Sequence, residues 1–213
     1  MTEYSLLEAE LEQIFDTEIA PEIPLSNSDS VPTIILVGTQ PDAGKTQAVN
    51  AASREHNNAY QVVGDDLRKY HPAYRQLMDT DPLAMPDATA QASDTWVEMS
   101  LDYLKTHKQS LILETTMRHK NAVQKTLEEF KQAGYKTEVV IVSTPPQVSL
   151  MSTLTRYIGQ VEQFGAGRFV NPKIHDEAVK NLETTIVNQT CNGNIDILTI
   201  TNRPGELHTF DLH

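Results

Sequence analysis

Cysteine is nearly absent from this 213-residue chain: Cys191 is the only one. No intrachain disulfide can form, which fits a reducing cytosol. Basic residues are scarce as well. Lys and Arg number 17 against 29 Asp and Glu, a formal charge of −12. So acidic a balance argues against non-specific nucleic-acid binding, whose affinity comes from Lys and Arg neutralising phosphates. A local basic pocket for a small phosphorylated ligand stays compatible with it. No apolar run approaches the roughly 18 residues that a membrane span needs, and Met1-Thr2-Glu3-Tyr4 has neither the basic start nor the apolar core of a signal peptide. These absences predict a cytoplasmic protein that partners neither nucleic acid nor membrane. What is present, 39% hydrophobic and 22% charged residues, suits a soluble globular domain with a substantial core.

The stretch that organises the chain is Gly38-Thr39-Gln40-Pro41-Asp42-Ala43-Gly44-Lys45-Thr46, which follows the apolar run Thr33-Ile34-Ile35-Leu36-Val37 and leads into residues of helical composition. Strand, small-residue loop and a helix opening on Gly-Lys-Thr is the layout of a phosphate-binding P-loop. A tight loop turns successive backbone N–H groups inward, and the new helix aims its positive end at the same place. In that reading Lys45 reaches the outer phosphates of a nucleotide and the Thr46 hydroxyl holds Mg²⁺. Two residues depart from the usual spacing. The motif wants glycine where Thr39 stands, with the glycine here one place earlier at Gly38, and Asp42 puts a negative charge where a small residue is usual. The competing reading is an ordinary strand-to-helix turn.

The rest of the chain alternates. Leu7, Leu11, Ile14 and Phe15 recur at helical spacing among acidic residues over 3–16, and Pro, Ser and Asn fill 20–30. Residues 1–30 therefore read as a helix and linker ahead of a P-loop domain over 31–213. The helix either packs on the domain or serves as a partner-binding or masking element. Helices are expected over 45–57, 87–107, 119–133, from Pro145-Pro146 to about Tyr157, and 172–187. Strands are expected at 59–63, 109–114, 137–143 and 195–200, with 159–171 as a loop. This pattern predicts an α/β fold, a mainly parallel sheet with helices on both faces.

Two strands end in acids. Ala59-Tyr60-Gln61-Val62-Val63 runs into Gly64-Asp65-Asp66, and Leu111-Ile112-Leu113 into Glu114, with Thr115, Thr116 and Arg118 just beyond. In parallel sheets the carboxyl ends of neighbouring strands share one ligand crevice, so an acid there can accept the proton of an attacking hydroxyl. The plainer role for Asp65 or Asp66 is a helix cap or turn. Phosphoryl transfer also needs cations around the γ-phosphoryl oxygens, and Arg168, beyond the glycines at 165 and 167, suits a closing loop.

Taken together, the P-loop, the run Gly64-Asp65-Asp66-Leu67-Arg68-Lys69-Tyr70-His71-Pro72 and the triplet Glu114-Thr115-Thr116 resemble the zeta toxin family over about residues 3–205. These are P-loop kinases of bacterial toxin–antitoxin systems that phosphorylate a hydroxyl of UDP-activated amino sugars. The resemblance implies a P-loop kinase fold, ATP and Mg²⁺ as cofactors, and UDP-N-acetylglucosamine or a related UDP-sugar as substrate. It implies Asp65 as general base, Glu98 on the sugar, Glu114 and Thr116 on the sugar-nucleotide and Mg²⁺ side, Arg118 in the same pocket, and Arg156 and Arg168 around the phosphates. For His71 the reading is a hydrogen bond that shapes the loop. A growth-inhibiting toxin restrained by a small antitoxin protein follows from the same resemblance. Thr39 and Asp42 depart from the family's loop. The alternatives are a kinase of another small molecule, such as an antibiotic, and a non-catalytic nucleotide-binding protein.

Overall fold

The structure is a computed structural model that describes residues 3–25, 31–40, 42–115, 117, 120–167, 169–202 and 207–212, without the side chains of Thr46 and Gln47. The first part of the chain forms α1 (Glu8–Ile14), β1 (Thr33–Thr39), α2 (Lys45–Glu55), β2 (Tyr60–Val62), α3 (Gly64–Leu67), α4 (Tyr74–Thr80), α5 (Met85–Ala88) and α6 (Ala90–Thr106). The second forms β3 (Leu111–Thr115), α7 (Lys120–Gln132), β4 (Lys136–Ser143), α8 (Pro146–Phe164), α9 (Pro172–Cys191), β5 (Ile197–Asn202) and β6 (Leu207–Asp211). Two compact units result, the smaller made of residues 1–29 and 60–109, the larger of 30–59 and 110–213.

In the smaller unit α1 runs on through a π-helical turn, Phe15–Ile19, and a 3₁₀ turn, Ala20–Glu22. Leu11, Phe15, Ile19 and Ile23, four residues apart, are all buried, the stripe a helix presents to a core. Leu7, expected on that stripe, precedes α1 and is exposed. The indole of the fully buried Trp96 on α6 donates to the Leu11 carbonyl at 3.1 Å, and the Phe15 ring meets Tyr103 edge-on at 6.1 Å. The apolar stripe of the N-terminal helix is thus committed to packing within its own unit.

The larger unit is built on a sheet in the order β3-β1-β4-β5-β6, parallel except for the antiparallel edge strand β6. Ile34 and Leu36 alternate with Ile35 and Val37 along β1, and all four are buried. A strand covered on both faces needs such an uninterrupted apolar run. On one face Ile35, Val37, Ile112, Val140 and Val142 pack with Ala43, Ala48, Val49 and Ala52 from the P-loop and α2. Because α2 presents alanines and a valine, it lies close on the sheet, and the loop between β1 and α2 emerges from mid-sheet. Crossovers that place later strands on either side of β1 put that loop at the kind of crevice where open α/β sheets bind ligands.

The expected elements are present with shifted ends. Gly134, at φ 85°, closes α7, its N–H bonding to the Lys131 carbonyl, as expected of a helix stop. Helix α8 continues seven residues past Tyr157 and ends at Gly165, φ 74°. Gly159 lies within it, and Gln160, Glu162 and Gln163 beyond it favour helix enough to carry it over one glycine. Strand β6 had no counterpart in the sequence reading; all five of its residues are exposed, so no apolar alternation marks it.

Candidate functional site

The P-loop is held by partners that lie far off in sequence. Within the loop, Ala43 N–H donates to the Gln40 carbonyl at 3.2 Å, and Gly44, left-handed at φ 106°, turns the chain into α2 with Lys45 as its first residue. The β4–α8 connection braces it from outside. Thr144 Oγ1 donates to the Ala43 carbonyl at 3.0 Å. Ser149, in the first turn of α8, donates to Gln40 Oε1 at 2.9 Å and sits 2.7 Å from His175 Nε2 on α9. The same hydroxyl also lies 3.1 Å from the Pro146 carbonyl, and with its one proton directed to these two oxygens His175 Nε2–H is the donor to Ser149. Gln40, Ser149 and His175 are all buried, where satisfied polar groups fix one geometry. The sequence reading missed this brace, and nothing local in the sequence ties Ser149 or His175 to the loop.

Gly38 proves to be a packing glycine. A Cβ there would lie 2.5 Å from Met117 Sδ and 2.9 Å from Ile141 Cδ1. Thr39 is the last residue of β1, buried and paired with Val142. The motif's displaced glycine therefore lets Met117, after β3, pack over the end of β1, and the turn into α2 begins after Thr39.

Two cations meet two carboxylates around the loop. Lys45 Nζ is 2.5 Å from Glu114 Oε1, a contact made possible because Glu114 is register partner to Val37 in β1, close to where the chain enters the loop. Arg156 Nη1, reaching from α8, donates to Asp42 Oδ1 at 2.9 Å. Asp42 itself is left-handed, φ 54°, a conformation that suits glycine and that Asp tolerates better than most residues. Lys45–Glu114 and Arg156–Asp42 are thus two charge pairs, each anchored at the loop or the head of α2. Pro41, Thr116, Arg118 and Arg168 lie outside the described residues, as does the Thr46 side chain. The neighbours of Arg168 are placed. Gly167 packs so closely on Tyr157 that a Cβ would fall 2.7 Å from its carbonyl oxygen, and Phe169 meets the Tyr157 ring edge-on at 5.6 Å.

In the smaller unit, the strand–acid run behaves as a built motif. Gly64 opens α3, its carbonyl accepting from Ser93 Oγ at 2.7 Å. Asp65, 76% exposed, is held at 2.8 Å by Arg68 Nε, while Arg68 Nη1 also reaches the Pro86 carbonyl at 2.6 Å and Thr89 Oγ1 at 2.9 Å. Arg68 therefore steers the Asp65 carboxylate from an anchored guanidinium. His71 is buried; its Nδ1 accepts from Ala73 N–H at 3.1 Å, so Nε2 carries the proton and donates to the Tyr4 carbonyl at 3.0 Å. That is the loop-shaping role expected of it. Nearby, Glu22 accepts from Tyr70 OH at 2.5 Å, and this bond, with the charge of Lys69, holds the Glu22 carboxyl below its ordinary range. Glu98 is exposed on α6.

A phosphate chain fits the described part of this loop. The helix terminus, the left-handed Gly44 and the Lys45 ammonium supply what a phosphate chain needs, and Thr46 is the residue that would hold Mg²⁺. Among the described residues, no helix is long and apolar enough to cross a membrane.

Comparison with known proteins gives consistent matches. The family model described as Zeta toxin matches residues 16–212. The toxin PezT of Streptococcus pneumoniae serotype 4 is 30% identical over 131 residues, 61% of this chain and 52% of that protein. A solved structure from the PezAT chromosomal toxin–antitoxin system of the same species superposes with TM-score 0.80 at 23% identity, covering 97% of this chain and 83% of the other. The AvrRxo1-ORF1:-ORF2 complex with ATP superposes at TM-score 0.57 and 16% identity, over 95% and 64% of the two chains. The chain spans about half to two thirds of the length of the curated relatives it matches.

Proposed function

Because the chain belongs to the zeta toxin family, we propose that it is an ATP-dependent kinase. Its acceptor is a sugar hydroxyl of UDP-N-acetylglucosamine or a related UDP-sugar, and it acts as a growth-inhibiting toxin restrained by an antitoxin protein. The observation that carries the reading is the presence of two charge pairs at the P-loop, with Lys45 at the head of α2 and Arg156 reaching the loop from α8. The relatives lend support, since one belongs to a toxin–antitoxin system and another fold neighbour binds ATP.

ATP bound with Mg²⁺ supplies the phosphoryl group. Lys45 and Arg156 neutralise charge at the outer phosphates, where it spreads as the bond to the leaving oxygen breaks. Asp65, oriented by Arg68, accepts the proton of the acceptor hydroxyl as that oxygen bonds to phosphorus. Thr46 holds the metal, Arg168 joins the cations, and Glu98, Glu114, Thr116 and Arg118 serve the sugar-nucleotide side. Consuming a cell-wall precursor in this way would halt growth and give a toxin its effect.

A second reading, a nucleotide-binding protein without turnover, draws on the Asp42–Arg156 pair, which engages one of the phosphate-binding cations internally. One experiment separates them: mass spectrometry of UDP-N-acetylglucosamine incubated with ATP, Mg²⁺ and the protein, beside Lys45→Ala and Asp65→Asn. A sugar nucleotide heavier by one phosphoryl group, formed by the native chain and lost in both variants, is expected. Nucleotide binding without product from any of a panel of UDP-sugars would favour the second reading.

A further inference from the structure

Of the P-loop's residues, Asp42 is the one whose side chain works against the loop's task. It carries a negative charge where a polyanion is to bind, and its backbone sits at φ 54°, where glycine would cost least. A solvated carboxylate would give no reason for such a residue. Asp42 is instead largely buried, 21% exposed, with Oδ1 on Arg156 Nη1 at 2.9 Å across 114 residues of sequence. The helix that carries Arg156 is itself fixed to the loop, since Ser149 in its first turn holds Gln40. The guanidinium is therefore held directly over the loop.

We infer that Asp42 is a built-in counter-ion that parks Arg156 on the P-loop and sets the affinity for nucleotide, so that the phosphate chain must take Arg156 from Asp42 in order to bind. The inference rests on the kinase reading for the identity of the ligand. Two effects act in the same direction. A donor committed to Asp42 has to be freed before it can serve a phosphate, and the carboxylate left in the loop repels the incoming charge. Lys45 has the same relation to Glu114, but Glu114 ends a strand and pairs from outside the loop. Asp42 alone places the competing charge inside the phosphate-binding turn. The outcome is a chain that binds nucleotide more weakly, and releases it faster, than the same loop with an uncharged residue at position 42.

The test is calorimetric titration of Mg²⁺ with a β,γ-imido analogue of ATP, which cannot transfer its phosphoryl group. The proteins are the native chain, Asp42→Asn, Asp42→Gly, Arg156→Ala and the Asp42→Asn/Arg156→Ala double variant, with Lys45→Ala as control. Asn keeps the shape of Asp and tolerates left-handed backbone, so Asp42→Asn removes charge alone. It should bind on the order of tenfold more tightly than the native chain, the effect of one close like charge in a partly solvated site. The gain should shrink in the Arg156→Ala background, where only direct repulsion is left to relieve. Binding by Asp42→Asn where the native chain binds none would support the inference equally. Native-like or weaker binding by Asp42→Asn, in a protein whose binding is lost in Lys45→Ala, would overturn it and leave the kinase reading standing. Binding by none of the variants would overturn both.

Discussion

Replacing Gly38 with alanine tests whether this glycine is kept for packing rather than for phosphate. The added Cβ would stand 2.5 Å from Met117 Sδ, 2.7 Å from Met117 Cε and 2.9 Å from Ile141 Cδ1, all inside normal contact. The atoms met are the far ends of the Met117 and Ile141 side chains, which give way by repacking in a buried site. Overpacking of this kind costs about 1–3 kcal/mol. With a urea m-value of about 1–3 kcal/mol/M, a loss near the middle of that range moves the unfolding midpoint down by roughly 1 M. A double-mutant cycle isolates the cause. Met117→Ala alone should cost about 2–5 kcal/mol as a cavity, but adding Gly38→Ala to it should cost little, because the new methyl enters space the thioether left. The coupling should fall at about 0.5–3 kcal/mol. An unchanged midpoint for Gly38→Ala, or an equal cost with and without Met117, would refute the packing account and return Gly38 to the phosphate-binding turn.

Two further outcomes follow from the larger unit. His56 Nε2 lies 3.0 Å from Glu138, and that hydrogen bond, outweighing partial burial, raises the His56 pKa. A raised folded-state value means the pair stabilises below the ordinary histidine value near pH 6.5 and loses that contribution as pH climbs through the folded value. The Tm gap between the native chain and Glu138→Gln should therefore be widest near pH 5.5 and close toward pH 8; a gap constant across that range would sink the assignment. Ser149→Ala strips buried bonds from Gln40 and His175 and should cost about 1–3 kcal/mol in denaturant unfolding, with weaker nucleotide binding because the loop loses its brace. Loss of stability with undiminished nucleotide affinity would show that the network supports the fold without positioning the loop.

The difference between what was legible in the sequence and what was not follows the range of the interaction. Apolar runs such as Thr33–Val37 and the small-residue turn after them are local signals, so the buried parallel strands, the P-loop and the acid at the end of β3 could be read directly. Periodicity likewise marked Leu11 and Phe15, which are buried. Strand β6 offered no such signal because neither of its faces is buried, and the end of α8 was misplaced because one exposed glycine reads as a break when its tertiary support is unseen. The charges of the site were legible one at a time and illegible as pairs. Asp42 read as a defect in a motif and Arg156 as a separate cation, since no periodicity links residues 114 apart; only the path of α8 beside the loop makes them partners. The same holds for Lys45 and Glu114, joined by the register of β1 with β3. Asp42 departs from the loop's usual composition in both charge and backbone conformation, and its charge is met by Arg156. A residue that looks like damage to a phosphate site when read alone is, in its folded setting, a candidate control on that site.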